Sequence, residues 1–186
     1  MSEAPLVTLS VCVRDGASWV DDCMKALIAQ TYRPLEIIAV DDGSSDGSKE
    51  RLLAWNDSQA EVPIRILTQT PKGLSAGRQW AVDEAKGEWV AITDIDVRPE
   101  PDWIEIMVGE SKPIAEGETI VAVTGRTVFG HAGDVVSRVR SVEIARKYKA
   151  RPRKTSLANG PCSMFHRQSL MAIGGFNPDW YHAEDM

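Results

Sequence analysis

Two alternating patterns run through the first hundred residues and limit the folds that are open to this chain. Short runs of apolar and β-branched residues, typical of buried strands, are separated by stretches in which apolar residues recur at helical spacing. The predicted strands are residues 6–13, 35–40, 64–67 and 89–93, and the predicted helices are residues 17–30, a segment through Leu52, Leu53 and Trp55, and residues 74–86. This alternation predicts an α/β fold with a mostly parallel central sheet flanked by helices.

The second half of the chain repeats the pattern less regularly. Its predicted elements are a helix with an apolar stripe around residues 103–108, strands at 120–128 and 162–166, and a helix at 135–148. Within residues 146–154, six of the nine residues are basic. We interpret this basic segment either as a solvated loop or as a contact for an anionic acceptor or a membrane surface.

Acidic residues follow three of the four predicted strands in the first half. Asp15 comes after the first strand, Asp42 after the second, and Asp94 and Asp96 after the fourth. Ligands of parallel sheets bind beyond the carboxyl ends of the strands, so we expect these carboxylates to line a single cleft. Asp94 and Asp96, one residue apart, can hold a hard cation such as Mg²⁺ or Mn²⁺. A solvated turn is the alternative interpretation of this Asp-x-Asp.

Several classes of protein are disfavoured by what the sequence lacks. It has neither a Gly-x-Gly-x-x-Gly after the first strand nor a Gly-x-x-x-x-Gly-Lys-[Ser/Thr], which argues against a dinucleotide-binding Rossmann domain and a P-loop NTPase. The formal net charge of −6 argues against nucleic acid as a partner. The three cysteines without metal-ligand spacing, and the absence of signal-peptide features, predict a cytoplasmic location, with the inner face of a membrane as the alternative.

A series of short motifs extends along the chain. They read Ser10-Val-Cys-Val-Arg-Asp15, Ala29-Gln-Thr-Tyr32, Leu35-Glu-Ile-Ile-Ala-Val-Asp-Asp-Gly-Ser-Ser-Asp-Gly47, Gly73-Leu-Ser-Ala-Gly-Arg78, Asp94-Ile-Asp96, Asn159-Gly160, Gly174-Gly175-Phe176 and Glu184-Asp185. In letters, order and spacing, this series resembles the family 2 glycosyltransferases, which have the GT-A fold. Cys12 stands where that family often has proline, and Pro71 and Gln79 stand where asparagines are frequent.

The resemblance implies an organisation and an activity for the whole chain. It implies a single GT-A glycosyltransferase domain over residues 1–186, with a nucleotide-binding half at 1–98 and an acceptor-side half at 99–186. The implied reaction moves a sugar, with inversion, from a nucleotide-diphosphate-sugar, most simply a UDP-sugar, to a hydroxyl acceptor that is a saccharide or lipid-linked. Because members of the family usually continue beyond the acidic pair, we expect the chain to be part of a longer protein.

The resemblance also implies roles for individual residues. Donor binding would involve Val13, Arg14, Asp15, Asp42, Gly73, Arg78, Asp94 and Ile95. Asp42 would accept a hydrogen bond from the uracil imide, with a helix cap as its alternative role, and Arg78 would lie near the diphosphate or sugar, with a salt bridge as its alternative. Asp96, with Asp94, would hold Mn²⁺ or Mg²⁺. Asp185 or Glu184 would be the catalytic base that takes the proton of the acceptor hydroxyl.

Two other functions fit parts of the sequence. Asp94-Ile95-Asp96-Val97 formally matches the nucleophile motif of haloacid-dehalogenase-like phosphotransferases, although that motif normally follows a first strand and here follows a fourth. The other alternative is a module that binds a nucleotide-sugar without catalysing its transfer. Release of nucleotide diphosphate, release of phosphate, and binding without turnover distinguish the three functions.

Overall fold

A computed structural model describes residues 4–56, 61–113, 115–128, 135–150, 152, 154, 155, 158 and 160–179. Its strands are β1 (Val7–Val13), β2 (Leu35–Asp41), β3 (Ile64–Thr68), β4 (Trp89–Asp94), β5 (Ala122–Thr124) and β6 (Ser163–His166). These six strands form one sheet in the spatial order β3-β2-β1-β4-β6-β5. The sheet is therefore built around β1, with β2 and β4 as its direct neighbours.

Helices connect the strands in the order that the sequence predicts. They are α1 (Ala17–Ile28), α2 (Ser48–Asn56), α3 (Leu74–Glu84), α4 (Trp103–Glu110), α5 (Val135–Ala150) and α6 (Arg167–Ala172), with a 3-10 turn at Gly160–Cys162. None of the helices in the described part of the chain is both long and apolar enough to cross a membrane.

The sheet is parallel in the first half of the chain and antiparallel in the second. Strand β1 pairs in parallel with β2 and with β4, and β2 pairs in parallel with β3. Strand β6 runs antiparallel to β4, and β5 runs antiparallel to β6. The predicted α/β architecture with a mostly parallel sheet is confirmed, because the four strands of the first half form its parallel part.

Different helices cover the two faces of the sheet, because successive side chains of a strand point to opposite faces. On one face, Leu9 and Val11 of β1 belong to a buried cluster that includes residues of α1, α2 and α4. On the other face, Cys12 packs in a cluster with Ala81 and Val82 of α3. Full burial of an aliphatic side chain such as Leu9 stabilises the fold by about 1.5–3 kcal/mol.

The second half differs from the prediction in two places. Strand β5 has three residues, where a strand over 120–128 was expected. It ends before Gly125, whose backbone packs so closely on Cys162 that a Cβ there would lie 2.3 Å from the sulfur. Helix α6 was not predicted, and contacts with distant residues hold it: Arg167, its first residue, donates from Nε to the carbonyl of Val82 over 2.8 Å.

Candidate functional site

The acid-bearing ends of three strands lie side by side at one edge of the sheet. In the strand register, Val13 of β1 is opposite Asp41 of β2, and Cys12 is opposite Asp94 of β4. The backbone N–H of Asp42 continues this pairing by donating to the carbonyl of Val13 over 2.9 Å. Asp15 and Asp42 therefore follow β1 and β2, and Asp94 is the last residue of the neighbouring parallel strand β4.

The loop after β1 is fastened to the loop after β2. Asp15 has a φ of 52°, and its Oδ1 accepts from the backbone N–H of Ser45 over 2.8 Å, while its own N–H donates to Ser44 Oγ over 3.0 Å. Asp46 Oδ2 accepts from the N–H of Ala17 over 2.9 Å, at the first residue of α1. Hydrogen bonds, the strongest from the Ser48 hydroxyl, hold the pKa of Asp46 below its usual value. These contacts fix both loops, and Arg14 projects from them exposed.

Asp42 is buried, and its carboxylate contacts the loop between β3 and α3, residues 69–73, which we call the β3–α3 loop. Oδ1 accepts from Gln69 Nε2 over 2.7 Å and from the backbone N–H of Lys72 over 2.7 Å. Oδ2 accepts from the N–H of Gly73 over 2.9 Å. Gly73 has a φ of 95° and directly precedes α3. Asp42 thus anchors the entry to α3, whereas the cap proposed for it from the sequence concerned the helix after β2.

Arg78 on α3 contacts the first aspartate of the Asp-x-Asp. Its Nη2 donates to Asp94 Oδ1 over 3.0 Å, and its side chain is only 4% exposed. Helix α3 approaches the sheet closely here, because a Cβ on Gly77 would lie 2.5 Å from Cys12 Sγ. Burial, followed by the charge of Asp42, raises the pKa of the Cys12 thiol to about 12, so this sulfur is a neutral packing atom at ordinary pH.

The two carboxylates predicted to hold a metal differ in exposure and in contacts. Asp94 is 36% exposed and is partly engaged by Arg78, whereas Asp96 is exposed, and no hydrogen bond or ion pair engages its side chain within the described residues. In the part of the chain that the structure describes, no group of three His, Cys, Asp or Glu could hold a metal ion. Two carboxylates fit a Mg²⁺ or Mn²⁺ ion whose remaining ligands are water and substrate oxygens.

Val13 and Ile95 pack beneath the loop that follows β1, around Gly16. The side chain of Val13 is buried, and Ile95 is half-buried against the same core cluster. Both pack around Gly16, where a Cβ would lie 3.0 Å from Val13 Cγ2 and 3.2 Å from Ile95 Cγ2. Since the Val13 carbonyl already accepts from Asp42, Val13 shapes the β1 end of the site through packing and backbone geometry.

The predicted catalytic residues Glu184 and Asp185 lie outside the described residues. The Gly174-Gly175-Phe176 motif that precedes them contacts helix α3, because the N–H of Phe176 donates to Gln79 Oε1 over 2.7 Å. Ser75 Oγ, at the start of α3, donates to the carbonyl of Asn177 over 2.5 Å. The sequence analysis did not single out Ser75 and noted Gln79 only as a departure from the family pattern. Their contacts join positions about a hundred residues apart.

Comparison with known proteins identifies the family. Residues 8–174 match the family described as Glycosyl transferase family 2. The chain belongs to this family. Family 2 membership agrees with the motifs and the fold, and it leaves the phosphotransferase alternative without support.

Individual members and solved structures agree with this assignment. The EpsH protein of Bacillus subtilis is 28% identical over 152 residues, which are 82% of this chain and 42% of EpsH. The mannosyltransferase PcManGT of Pyrobaculum calidifontis, solved with GDP-Man and Mn²⁺, superposes with a TM-score of 0.77 at 24% identity over 99% of this chain and 50% of that one. S. aureus TarS, solved with UDP-GlcNAc, superposes with a TM-score of 0.64 at 15% identity, over 96% of this chain and 50% of the TarS chain.

These structural likenesses establish the GT-A fold of the chain. The chain spans less than half the length of the curated relatives that it matches.

Proposed function

We propose that this chain is a GT-A domain of an inverting glycosyltransferase, with a nucleotide-binding half at 1–98 and an acceptor-side half at 99–186, and that it transfers a sugar from a UDP-sugar to a hydroxyl acceptor. The observation that carries the proposal is the convergence of the ends of β1, β2 and β4 at one edge of the sheet. Asp15 and Asp42 follow β1 and β2, Asp94 is the last residue of β4, and Arg78 contacts Asp94. Cation and anion side chains meet there, as a site for a charged diphosphate-sugar requires.

Donor binding would involve the loop after β1, the β3–α3 loop and the Asp-x-Asp. Exposed Arg14, beside Asp15 on a fixed loop, is available to the base and ribose. Two structures with a similar fold support a nucleotide-sugar donor, since PcManGT was solved with GDP-Man and TarS with UDP-GlcNAc. We favour UDP over GDP because the resemblance of the motifs to family 2 glycosyltransferases implies a UDP-sugar donor.

Asp96 and Asp94 would hold Mn²⁺ or Mg²⁺ together with oxygens of the diphosphate. Such an ion supplies positive charge next to the leaving nucleotide diphosphate. Among the residues that the structure describes, none engages the exposed side chain of Asp96, while Arg78 orients Asp94 through Oδ1. The structure of PcManGT, which was solved with Mn²⁺, supports this part of the proposal.

Glu184 and Asp185 would supply the catalytic base. Inversion requires the acceptor oxygen to attack the anomeric carbon from the face opposite the leaving group, and a carboxylate on that side takes its proton. The motif Gly174-Gly175-Phe176, which precedes the pair, packs on α3 through Gln79.

The acceptor would be a saccharide or a lipid-linked molecule, and the basic residues in 146–154 would contribute to its recognition. This segment includes the end of α5, and four valines are exposed in the first half of the same helix: Val135, Val136, Val139 and Val142. A basic segment can bind the negatively charged inner face of a membrane, where a lipid-linked acceptor would be found. We propose peripheral contact of this kind and no contact with nucleic acid.

The test is a turnover assay of the chain with UDP-sugars and GDP-sugars in the presence and absence of Mn²⁺. Release of the nucleotide diphosphate, stimulated by Mn²⁺ and by a hydroxyl acceptor, is the expected result. Tight binding of the nucleotide without any release, also in a longer form of the protein, would support the non-catalytic module instead. A preference for GDP-sugars would correct the donor and leave the reaction class intact.

A further inference from the structure

We infer that helix α5 docks on an anionic membrane surface through a stripe of exposed valines that is bordered by arginines. The inference rests on the peripheral contact in the proposed function, and it deepens that contact in two ways. It names the helix face that lies in the membrane interface, and it names negatively charged lipid as the partner. Docking of this kind favours a lipid-linked acceptor over a free saccharide.

Helix α5 packs little of its surface against the rest of the protein. It extends over 16 residues, and of its side chains that the structure describes, only Ser141 and Ile144 are even half-buried. Isolated helices near this length are marginal in water, and most of a helix's stability comes from packing an apolar face. Valine, of which α5 has four, is a weak helix former. The helix is therefore expected to gain stability from a surface that covers it.

Three of these valines form the apolar stripe. Val135, Val139 and Val142 follow one another at intervals of four and three residues, which places them on the same face of the helix. Their exposed fractions are 71%, 55% and 53%. Half-buried Ile144 lies on the opposite face by the helical repeat. The valine stripe therefore points away from the body of the protein.

Two arginines border the stripe. Arg138 lies three residues after Val135 and four before Val142, and Arg146 lies four residues after Val142, so each is a neighbour of the stripe on the helix surface. Both arginines are exposed. A helix that lies in a membrane interface places apolar side chains at the acyl boundary and extends basic ones to the headgroups. The exposed face of α5 has this composition.

The distribution of charge favours anionic lipid as the partner. Residues 135–154 contain eight basic residues and one acidic residue, a net charge of +7, whereas the whole chain has −6 and the remainder therefore has −13. One of the eight, Lys154, pairs with Glu118 over 2.5 Å. An anionic surface attracts this segment and repels the acidic remainder, which orients the protein. A second copy docked face to face through α5 would set arginines against arginines.

The first measurement is sedimentation with vesicles, in the absence of nucleotide. The protein should bind vesicles of phosphatidylcholine that contain about 30% phosphatidylglycerol, should not bind phosphatidylcholine alone, and should bind more weakly as salt rises. The variant Val135→Thr, Val139→Thr, Val142→Thr keeps shape and charge but adds three hydroxyl groups to the stripe. It should bind at least about tenfold more weakly.

The matched control for the valine variant is Ile106→Thr, Val121→Thr, Ile173→Thr. These three β-branched side chains are 55%, 46% and 82% exposed and lie outside α5. The control should bind anionic vesicles within about twofold of wild type, because it leaves the stripe intact. Equal losses in the two triple variants would overturn the inference, and so would equal binding of wild type to neutral and anionic vesicles.

A second pair of variants tests the arginines. Arg138→Gln, Arg146→Gln should weaken binding to anionic vesicles by about tenfold or more. Lys25→Gln, Arg51→Gln removes the same charge from exposed positions on α1 and α2 and should stay within about twofold of wild type. Equal losses in these two variants would assign the binding to net charge and overturn the role of α5.

Amide hydrogen exchange shows which surface docks. Anionic vesicles should slow the exchange of the α5 amides by at least about tenfold, because lipid covers the helix and stabilises it. The amides of α2, Ser48–Asn56, are the control and should keep their rates within about twofold. Unchanged exchange throughout α5 in the presence of bound vesicles would overturn the inference.

The proposed donor site is tested separately, because vesicle binding needs neither nucleotide nor sugar. A chain that binds UDP but no vesicles would overturn the docking and keep the donor site. A chain that binds vesicles through α5 but no UDP would support the docking and contradict the donor. Dimers in sedimentation velocity that the valine variant abolishes, without vesicle binding by wild type, would make a second copy the partner and overturn the inference.

Discussion

Arg78 on α3 donates from Nη2 to Oδ1 of Asp94 over 3.0 Å, and this contact joins the helix to the end of β4. The guanidinium is buried, with 4% of the side chain exposed, whereas the Asp94 side chain is 36% exposed. A single helix therefore carries a fixed cation to the first carboxylate of the Asp-x-Asp. Planar guanidinium groups suit such contacts with carboxylates and with diphosphate oxygens.

Substitution of Arg78 by leucine should lower the free energy of unfolding by about 2 kcal/mol, because a hydrogen bond to a charged group is lost in a partly buried setting. Arg51→Leu is the matched control, since Arg51 pairs with Asp21 at 2.7 Å but both side chains are about half exposed. An exposed pair of this kind contributes at most about 1 kcal/mol. Urea unfolding measures the free energy of unfolding of both variants. Equal losses would show that the Arg78 contact stabilises the fold no more than an exposed ion pair does.

The contact between α3 and β1 gives a second prediction. Gly77→Ala adds a Cβ that would lie 2.5 Å from Cys12 Sγ, so the variant should lose about 1–3 kcal/mol through overpacking. Cys12→Ala removes the sulfur, and the double variant should recover part of the loss made by Gly77→Ala. A double-mutant cycle in urea measures this coupling. Additive losses would mean that Gly77 is required for a reason other than the Cys12 contact.

Buried thiols make the fold sensitive to alkaline pH. Burial raises the pKa of Cys12 and of Cys23 from an ordinary value of 9.0 to about 12. Unfolded thiols lose their protons from about pH 9, while the folded thiols keep theirs to about pH 12, so the unfolded state binds fewer protons in this range. The stabilising contribution is complete below about pH 9 and is lost as the pH rises toward 12.

We therefore expect the free energy of unfolding to fall between pH 9 and pH 11 more steeply in wild type than in the double variant Cys12→Ala, Cys23→Ala. Urea unfolding at several alkaline pH values measures the slopes. Equal slopes in the two proteins would assign the alkaline loss to other groups, of which Tyr32 is one candidate because burial also raises its pKa.

Asp185 is expected to act on the acceptor and not on the nucleotide. Asp185→Asn should leave the affinity for UDP nearly intact and reduce sugar transfer by a factor of about 10² or more, the usual effect of losing a general base. Asp179→Asn, a nearby exposed acid, serves as the control and should keep its activity. The assay needs a form of the protein that shows transfer. Wild-type turnover by Asp185→Asn would exclude it as the base and turn attention to Glu184.

The parallel half of the fold was predictable from sequence because its signals are local. Strand β1 and helix α1, for example, each bury a continuous apolar pattern, and the observed α1 ends at Ile28, two residues before the predicted end. The placement of Asp15, Asp42 and Asp94 at the ends of adjacent strands followed from the rule that parallel strands end at one edge of the sheet. That their carboxylates line a single cleft stays a prediction. Both predictions needed only the periodicity of the chain and the order of its elements.

Contacts between distant residues could not be predicted in the same way. The partners of Asp42 lie about thirty residues later, in a loop whose composition gives no sign of them. Strand β5 was predicted too long because Val121 and Val128 suggested a buried strand, whereas both are exposed and lie outside β5, which is the last strand of the sheet. Propensity cannot distinguish an edge strand from a central one, because the difference lies in what packs beside it.

We expect this chain to bind a nucleotide diphosphate together with a metal held by the Asp-x-Asp. Thermal unfolding with UDP, in the presence and absence of Mn²⁺, measures both events. Saturating ligand should raise the wild-type melting temperature by about 5–10 °C, and more with Mn²⁺ than without. Asp96→Asn should lose the Mn²⁺-dependent increment and keep most of the metal-free shift, while Glu61→Gln, before β3 at the opposite edge of the sheet, should retain both. A Mn²⁺-dependent increment that persists in Asp96→Asn would contradict the assignment of the metal site.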